Sequence, residues 1–147
     1  MNGDGSYPGF EKIAEEYTST KSANIANAYL GGLYLKKGEF EKAVEALGNY
    51  SSTGSPIIDP LVLGMLGDAY SELKDYDNAA TYYKKAAGKS NNEFTTPLFL
   101  KKLGLVYEQQ KDFDAALKTY KQIKENYTQS AEANTIESLI ARVEAQQ

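Results

Sequence analysis

The side chains of this chain that could take part in chemistry are carboxylates, lysines and hydroxyls, because it contains no histidine, cysteine or tryptophan. Without histidine or cysteine there is no Ser–His pair, no thiolate nucleophile and no zinc site built on these ligands. Four aspartates, Asp75, Asp77, Asp112 and Asp114, occupy turns between expected helices, where helix capping accounts for them. We therefore expect no catalytic residue, no metal and no cofactor.

One tripeptide imitates the end of a phosphate-binding loop. Gly88-Lys89-Ser90 has the last three residues of that motif, but the glycine required five residues earlier is Tyr83. No strand is expected before it, although the motif follows a strand. We interpret Gly88 as the C-terminal cap of a helix, and the chain as a protein that is not an enzyme.

Composition excludes several partners. The 147 residues are 41% apolar and have a net charge of −4, which suits a single globular domain of useful core size. No segment has the basic stripe that tracks phosphates, so we expect no nucleic acid. No run approaches the roughly 20 apolar residues that span a bilayer, and the first six residues lack the features of a signal peptide. We expect no direct membrane contact from these residues.

One pattern of residues recurs three times and organises the chain. Gly31, Gly67 and Gly104 lie 36 and then 37 residues apart, each after a leucine and three residues before a tyrosine. An aromatic, an alanine and a large apolar residue then follow at fixed spacing: Phe40, Ala43 and Leu47; Tyr76, Ala79 and Tyr83; Phe113, Ala116 and Tyr120. Self-similarity at this period is typical of stacked helix-turn-helix units, which bury their apolar faces only by stacking.

Each repeat is expected to contain two amphipathic helices. In the middle repeat, Leu63, Leu66, Gly67 and Tyr70 share one face of the first helix. Asp75 is the expected N-cap of the second helix. Ala79, Tyr83 and Ala86 form the buried stripe of that helix, and we expect Gly67 to face Ala79. Pro60 and Pro97 stand where the next first helices begin.

The two ends add a half repeat and a cap. Four residues match a set in the third repeat: Phe10, Ile13, Tyr17 and Thr18 correspond to Tyr120, Ile123, Tyr127 and Thr128. We interpret the start as the second helix of an earlier repeat, whose first helix lies upstream of Met1 in a longer protein. An amphipathic helix over Ser130–Ala145 is expected to cap the stack. The single domain then divides into a half repeat (7–23), three repeats (24–59, 60–96 and 97–128) and a capping helix (129–147).

The pattern resembles the tetratricopeptide repeat over about residues 10–145. The middle repeat matches the family hallmark best, whereas Asn27, Tyr50 and Ile123 depart from it. The resemblance implies an all-α, right-handed α-solenoid of stacked antiparallel helix pairs that binds a protein or peptide in a concave groove. The first helix of each repeat would line this groove with Ile25, Ala28, Gly32 and Leu35; Leu61, Gly64, Asp68 and Ser71; and Leu98, Lys101, Leu105 and Glu108.

Co-chaperone members of the family hold a C-terminal carboxylate with lysine and asparagine at fixed groove positions. Here the only cation at those positions is Lys101, and Asp68 would repel an anion, so we reject this mode. The groove then predicts a slot for an apolar helix or an extended segment. The competing interpretation is that Gly32 and Gly64 let helices pack and that the leucines belong to the core.

Two further hypotheses concern the setting. The stretch Phe10–Leu47 is similar to the periplasmic domain of bacterial ancillary subunits of the Sec translocon. That resemblance implies a membrane helix before the repeats, a place in the bacterial cell envelope and a role in secretion or envelope assembly. This role is the alternative to our first expectation, an adaptor or chaperone-like assembly factor, and a cytoplasmic location is the alternative to the cell envelope. A third hypothesis is a homodimer through Phe10, Ile13 and Tyr17, left uncovered by the missing upstream helix.

Overall fold

The chain folds into helices throughout the part that the structure describes, which comprises residues 9–16 and 20–147 of a computed structural model. Tyr17 and Thr18, matched above to the third repeat, lie outside the described residues. The fold class expected from the repeats, an all-α solenoid of helix pairs, is confirmed. The described elements are α1 (Phe10–Glu16), α2 (Lys21–Lys37), α3 (Phe40–Gly48), α4 (Ile58–Glu72), α5 (Tyr76–Lys89), α6 (Thr95–Gln109), α7 (Phe113–Asn126) and α8 (Ala133–Glu144).

The helices form two layers, and neighbouring helices lie closer together in one layer than in the other. Each helix packs on the next one along the chain, from α1 to α8. In addition, α2 packs on α4 and α4 on α6, whereas α3, α5 and α7 make no contacts of similar extent with one another in the described part of the chain. The first helices of the repeats therefore lie on the inner, shorter side of the curve, and α3, α5 and α7 lie on the outer side.

A left-handed residue makes each tight turn within a repeat. This residue is Gly38 (φ 75°), Lys74 (φ 60°) or Lys111 (φ 60°) in the three successive repeats. The second helix of the repeat begins directly after this turn. In the second and third repeats, the carboxylates of Asp75 and Asp112 accept hydrogen bonds of 3.2 and 3.0 Å from the backbone N–H groups three residues later in the chain. The expected capping role of Asp75 is confirmed.

The shared glycines make room for a large side chain on the second helix. A Cβ atom on Gly67 would lie 2.6 Å from two ring carbons of Tyr83, and one on Gly31 or Gly104 would collide with Leu47 or Tyr120. The expectation that Gly67 faces Ala79 is therefore wrong, because the nearest atoms belong to Tyr83. The ring projects from α5 across the helix pair, and only the absence of a side chain on α4 admits it.

Gly88 does not end α5, contrary to expectation. The helix continues to Lys89, and Ser90 caps it in an extended conformation (φ −146°). Ser90 donates a hydrogen bond of 2.8 Å to the carbonyl of Pro56, which ties this end to the preceding inter-repeat loop. The Lys89 ammonium donates to the Ser52 hydroxyl at 2.9 Å, so the lysine of the apparent phosphate motif is engaged within the protein.

The loop between the first two repeats is organised around a buried carboxylate. Asp59 is 2% exposed, and it accepts hydrogen bonds from the Tyr50 hydroxyl and from the backbone N–H groups of Thr53 and Gly54, all at 2.9 Å. Burial alone would raise the pKa of this carboxyl. The hydrogen bonds, with a further one from Ser52, outweigh burial and hold the pKa well below its usual value.

The end of the stack is closed by α8. Ile136, Ile140 and Val143 are buried in the core shared with α5, α6 and α7, and Leu139 packs against it. The Ser130 hydroxyl accepts a hydrogen bond of 3.2 Å from the N–H of Ala133 at the start of the helix. The expected amphipathic capping helix is confirmed, with its bounds at Ala133–Glu144.

Candidate functional site: the concave groove

The twelve residues expected to line the groove all lie on first helices. These helices form the inner layer, so the structure places the whole set in that layer of the stack. Ile25, Ala28, Gly32 and Leu35 are on α2, Leu61, Gly64, Asp68 and Ser71 are on α4, and Leu98, Lys101, Leu105 and Glu108 are on α6.

Five of these residues meet around two open cavities. A cavity of about 470 Å³ is bordered by Gly32, Leu35, Asp68 and Ser71, together with Lys102 and the ring of Tyr83. A second cavity, of about 360 Å³, continues from Ser71 to Leu105. Three successive first helices therefore share one concave depression.

Two of the expected groove residues serve packing instead. Gly64 is buried, and a Cβ atom there would collide with the ring of Phe99 from α6. Ala28 is half-buried against the core that contains Val62 and Leu66. These two positions lie where consecutive first helices touch. For Gly64, this agrees with the interpretation that the glycine lets the helices pack.

The carboxylate of Asp68 is the centre of a polar network in the groove. It accepts hydrogen bonds of 2.6 Å from the Tyr83 hydroxyl and from the Lys102 ammonium. Burial, followed by the hydrogen bond to Asp68, raises the pKa of the Tyr83 phenol well above its usual value. The phenol therefore stays neutral and acts as a hydrogen-bond donor.

A second network of the same design is centred on Glu108. Its Oε1 atom accepts hydrogen bonds of 2.6 Å from the Tyr120 hydroxyl and from Arg142 Nη2, and Oε2 accepts one of 3.1 Å from Arg142 Nε. Tyr120 is completely buried, and burial, followed by the bond to Glu108, raises the pKa of its phenol. Each network joins a carboxylate to a cation from the next first helix or from α8, so both networks link successive repeats.

Three cations of the groove, Lys101, Lys102 and Arg142, already have partners within the protein. Lys102 is paired with Asp68 at 2.6 Å, and Arg142 is paired with Glu108. Lys101 donates to the Thr135 hydroxyl at 3.1 Å. A terminal carboxylate would have to compete with these internal partners, which supports the rejection of the carboxylate-binding mode.

Three groove residues were missed by the sequence reasoning. Tyr29, Met65 and Lys102 occupy equivalent positions on α2, α4 and α6. Tyr29 is 60% exposed, Met65 lies beside Gly32, where a Cβ atom would be 3.6 Å from its sulfur, and Lys102 pairs with Asp68. Each lies four residues after Ile25, Leu61 or Leu98, and residues four apart share a helix face. This four-residue spacing could have identified the three residues from the sequence.

Within residues 9–16 and 20–147, none of the helices combines the length and apolar character that a membrane-spanning segment needs. In the same part of the chain, no three acidic side chains are grouped so as to hold a metal ion.

The stacked helix pairs and their concave inner face define a helical-repeat scaffold. Residues 65–131 match the family model for the tetratricopeptide repeat. The match supports the resemblance to this family that the residue pattern predicts. Repeats of this family generally mediate protein–protein interactions, and its members are typically non-catalytic scaffolds. A comparison with curated proteins finds no match.

The Glu108 network should stabilise the last interface of the stack. We expect Glu108→Ala to lower the free energy of unfolding by about 1–3 kcal/mol, because the buried Tyr120 hydroxyl loses its acceptor. Hydrogen exchange in α8 should accelerate, since Arg142 loses its partner there. The control is Glu137→Ala, which removes an exposed ion pair with Lys124 at the same interface and should cost at most about 1 kcal/mol. Equal losses in the two variants would show that the network does not fasten α8.

Proposed function

We propose that this chain is an adaptor or chaperone-like assembly scaffold that binds a segment of a partner protein in its concave groove. The observation that carries this proposal is the open depression of about 470 Å³ that α2, α4 and α6 build together. Its wall combines the apolar Leu35 with the Asp68–Lys102 pair. The rest of the lining is also mixed, with Lys36, Ser71 and Glu72 beside Phe40 and Tyr83, and such a combination of polar and apolar groups can recognise a peptide.

Site-specific photo-crosslinking in the source cells tests this proposal. A photo-reactive amino acid replaces Leu105, which is 38% exposed on the groove wall and makes no polar contact that the substitution would break. The matched control replaces Lys84, which is exposed on α5 in the outer layer. We expect adducts at position 105 that map to one segment of a partner and are absent at position 84. Equal yields at both positions would overturn the groove as the binding site.

The cellular setting is a finer proposal that the same experiment addresses. The similarity of Phe10–Leu47 to ancillary subunits of the Sec translocon supports a place in the bacterial cell envelope. Adducts with translocon components or secreted chains would favour that assignment, whereas adducts with cytosolic proteins would favour a cytoplasmic adaptor.

Self-association is the other candidate. It is supported by Phe10, which is 38% exposed on α1 and stacks on the exposed ring of Tyr29 at 5.3 Å. Adducts of the chain with itself would favour this function over partner binding.

A further inference from the structure

The large exposed apolar side chains of the described residues are confined to α1, the first helices and the residues directly before those helices. Eight large apolar residues are more than a third exposed, and none of them lies on α3, α5, α7 or α8. Seven lie on first helices or directly before them, and the eighth, Phe10, stacks on Tyr29 of α2. Scattered exposed apolar residues are normal, whereas a one-sided distribution indicates an interaction surface.

Most of these side chains line the beginning of each first helix. Residues four apart share a helix face. This face has Ile25 and Tyr29 on α2, Leu61 and Met65 on α4 with Ile57 directly before that helix, and Leu98 on α6 with Phe94 directly before that helix. We call these seven residues the apolar lane. Phe94 is 79% exposed, Tyr29 60% and Ile25 56%.

A polar row runs beside the apolar lane. It begins with Lys102, which stands on α6 at the position that Tyr29 and Met65 occupy on α2 and α4, and it extends to Arg142 on α8. It contains the Asp68–Lys102 and Glu108–Arg142 pairs. Outside these pairs it has the cations Lys36 and Lys101 and one carboxylate, Glu72. Because each pair is neutral, the two remaining cations and one carboxylate give the row a net charge of +1, although the whole chain has a net charge of −4. Acidic side chains on a ligand would complement it.

The spacing of the apolar lane selects the conformation of the ligand. Helices in contact lie about 8–10 Å apart, so Ile25, Leu61 and Leu98 offer equivalent contacts at about that interval. Residues on the same face of an extended strand recur about every 7 Å, which does not fit. On an α-helix, residues seven apart share a face and are separated by about 10.5 Å, which does fit. A polyproline helix repeats at about 9.3 Å and is bound by aromatic-lined grooves. The apolar lane has two aromatic residues, Tyr29 and Phe94, but its three equivalent contact positions are aliphatic, which favours the α-helix.

We propose that the occupant of the groove is an amphipathic α-helix of a partner protein, with apolar residues seven apart on the apolar lane and acidic residues facing the polar row. Three first helices span about 20 Å, which corresponds to about 14 residues of bound helix. The inference rests on the proposed function and adds the conformation and chemistry of the ligand to it.

Selection from a display library of random peptides of about 20 residues tests this inference, since such peptides are longer than the bound helix requires. The bait is the whole chain, and enriched peptides are then measured against two variants. Leu61→Asp places a charge in the apolar lane at a site 39% exposed, where folding should tolerate it. Thr81→Asp makes the same change in charge at an exposed site on α5. We expect Leu61→Asp to weaken binding about tenfold to hundredfold, the loss for one buried leucine, and Thr81→Asp to leave it unchanged.

The enriched sequences separate the two levels of the proposal. A helical ligand would be supported by three features of the enriched peptides: apolar residues spaced by three, four and seven positions, acidic residues beside them, and helical Cα chemical shifts in the bound state. A different outcome is peptides that depend on Leu61 but have apolar residues at every second position or proline at every third. Such peptides would overturn the proposal of a helical ligand and leave the groove as the binding site. Peptides insensitive to Leu61→Asp, or no enrichment, would overturn the proposed function itself. A dimer of the chain that Leu61→Asp dissociates would make a second copy the occupant and overturn the inference.

Discussion

Replacing Gly67 by leucine is expected to lower the free energy of unfolding by about 3 kcal/mol or more, because it overpacks the centre of the middle repeat. Tyr83 is 4% exposed, and its ring fills the space beside Gly67, where even a Cβ atom would lie 2.6 Å from the ring carbons. The ring cannot retreat easily, since its hydroxyl is bonded to Asp68 at 2.6 Å and its other side stacks on Phe99. The loss is a large share of the stability of a domain of this size.

The matched control for this prediction is Gly88→Leu. Gly88 also lies within a helix, but a Cβ atom there has nothing within 4 Å, so leucine should be neutral or stabilise the helix by up to about 1 kcal/mol. Chemical denaturation followed by circular dichroism measures both variants. Similar stabilities for the two variants would contradict the tight contact between Gly67 and Tyr83, because helix propensity alone favours leucine at both positions.

The local parts of the fold could be predicted because they depend on neighbouring residues. The repeat spacing of the glycines and tyrosines gives the helix pairs, and Asp75 caps α5 through an N–H only three residues away. The partner of Gly67 could not be predicted in the same way. The pattern shows which face of each helix is buried, but not how two helices are rotated against each other. Only that rotation decides whether Ala79 or Tyr83 meets the glycine.

The same distinction holds for the groove. The helix face of Ile25 and Leu61 follows from periodicity, and Tyr29 and Met65 could have been added from the same period. The Asp68–Lys102 pair joins residues 34 positions apart on two helices. No local pattern encodes such a pair, because it depends on how successive repeats stack.

The inter-repeat loop illustrates a third case. Its run of serines, glycine and proline predicts a loop correctly, but not that Asp59 is buried beneath it. An aspartate directly before Pro60 at the start of a helix suggests a cap. In the structure, Asp59 instead accepts hydrogen bonds from Thr53 and Gly54, which precede it in the chain. These bonds hold the loop in one conformation, so that it acts as a fixed spacer between repeats.

Asp59→Asn should therefore be strongly destabilising, with an expected loss of about 3 kcal/mol at neutral pH. The carboxylate accepts bonds from four residues of the loop, Tyr50, Ser52, Thr53 and Gly54, and lies 3.6 Å from the Lys89 ammonium. An amide of the same shape removes the charge and turns one acceptor into a donor that faces other donors. The control is Asp75→Asn at the N-cap of α5, where asparagine caps about as well and the change should be within about 0.5 kcal/mol.

The loss should also depend on pH in a way that identifies the charge as its cause. The pKa of Asp59 is lower in the folded protein than the value of about 3.9 expected when unfolded. The unfolded chain thus takes up the proton first as the pH falls, so the stabilisation is complete above about pH 5 and is lost progressively below about pH 4. Denaturation of wild type and Asp59→Asn is measured from about pH 7 to about pH 2. The difference between their free energies of unfolding should narrow below about pH 4. A gap that stays constant down to pH 2 would assign the loss to packing and contradict the role of the carboxylate charge.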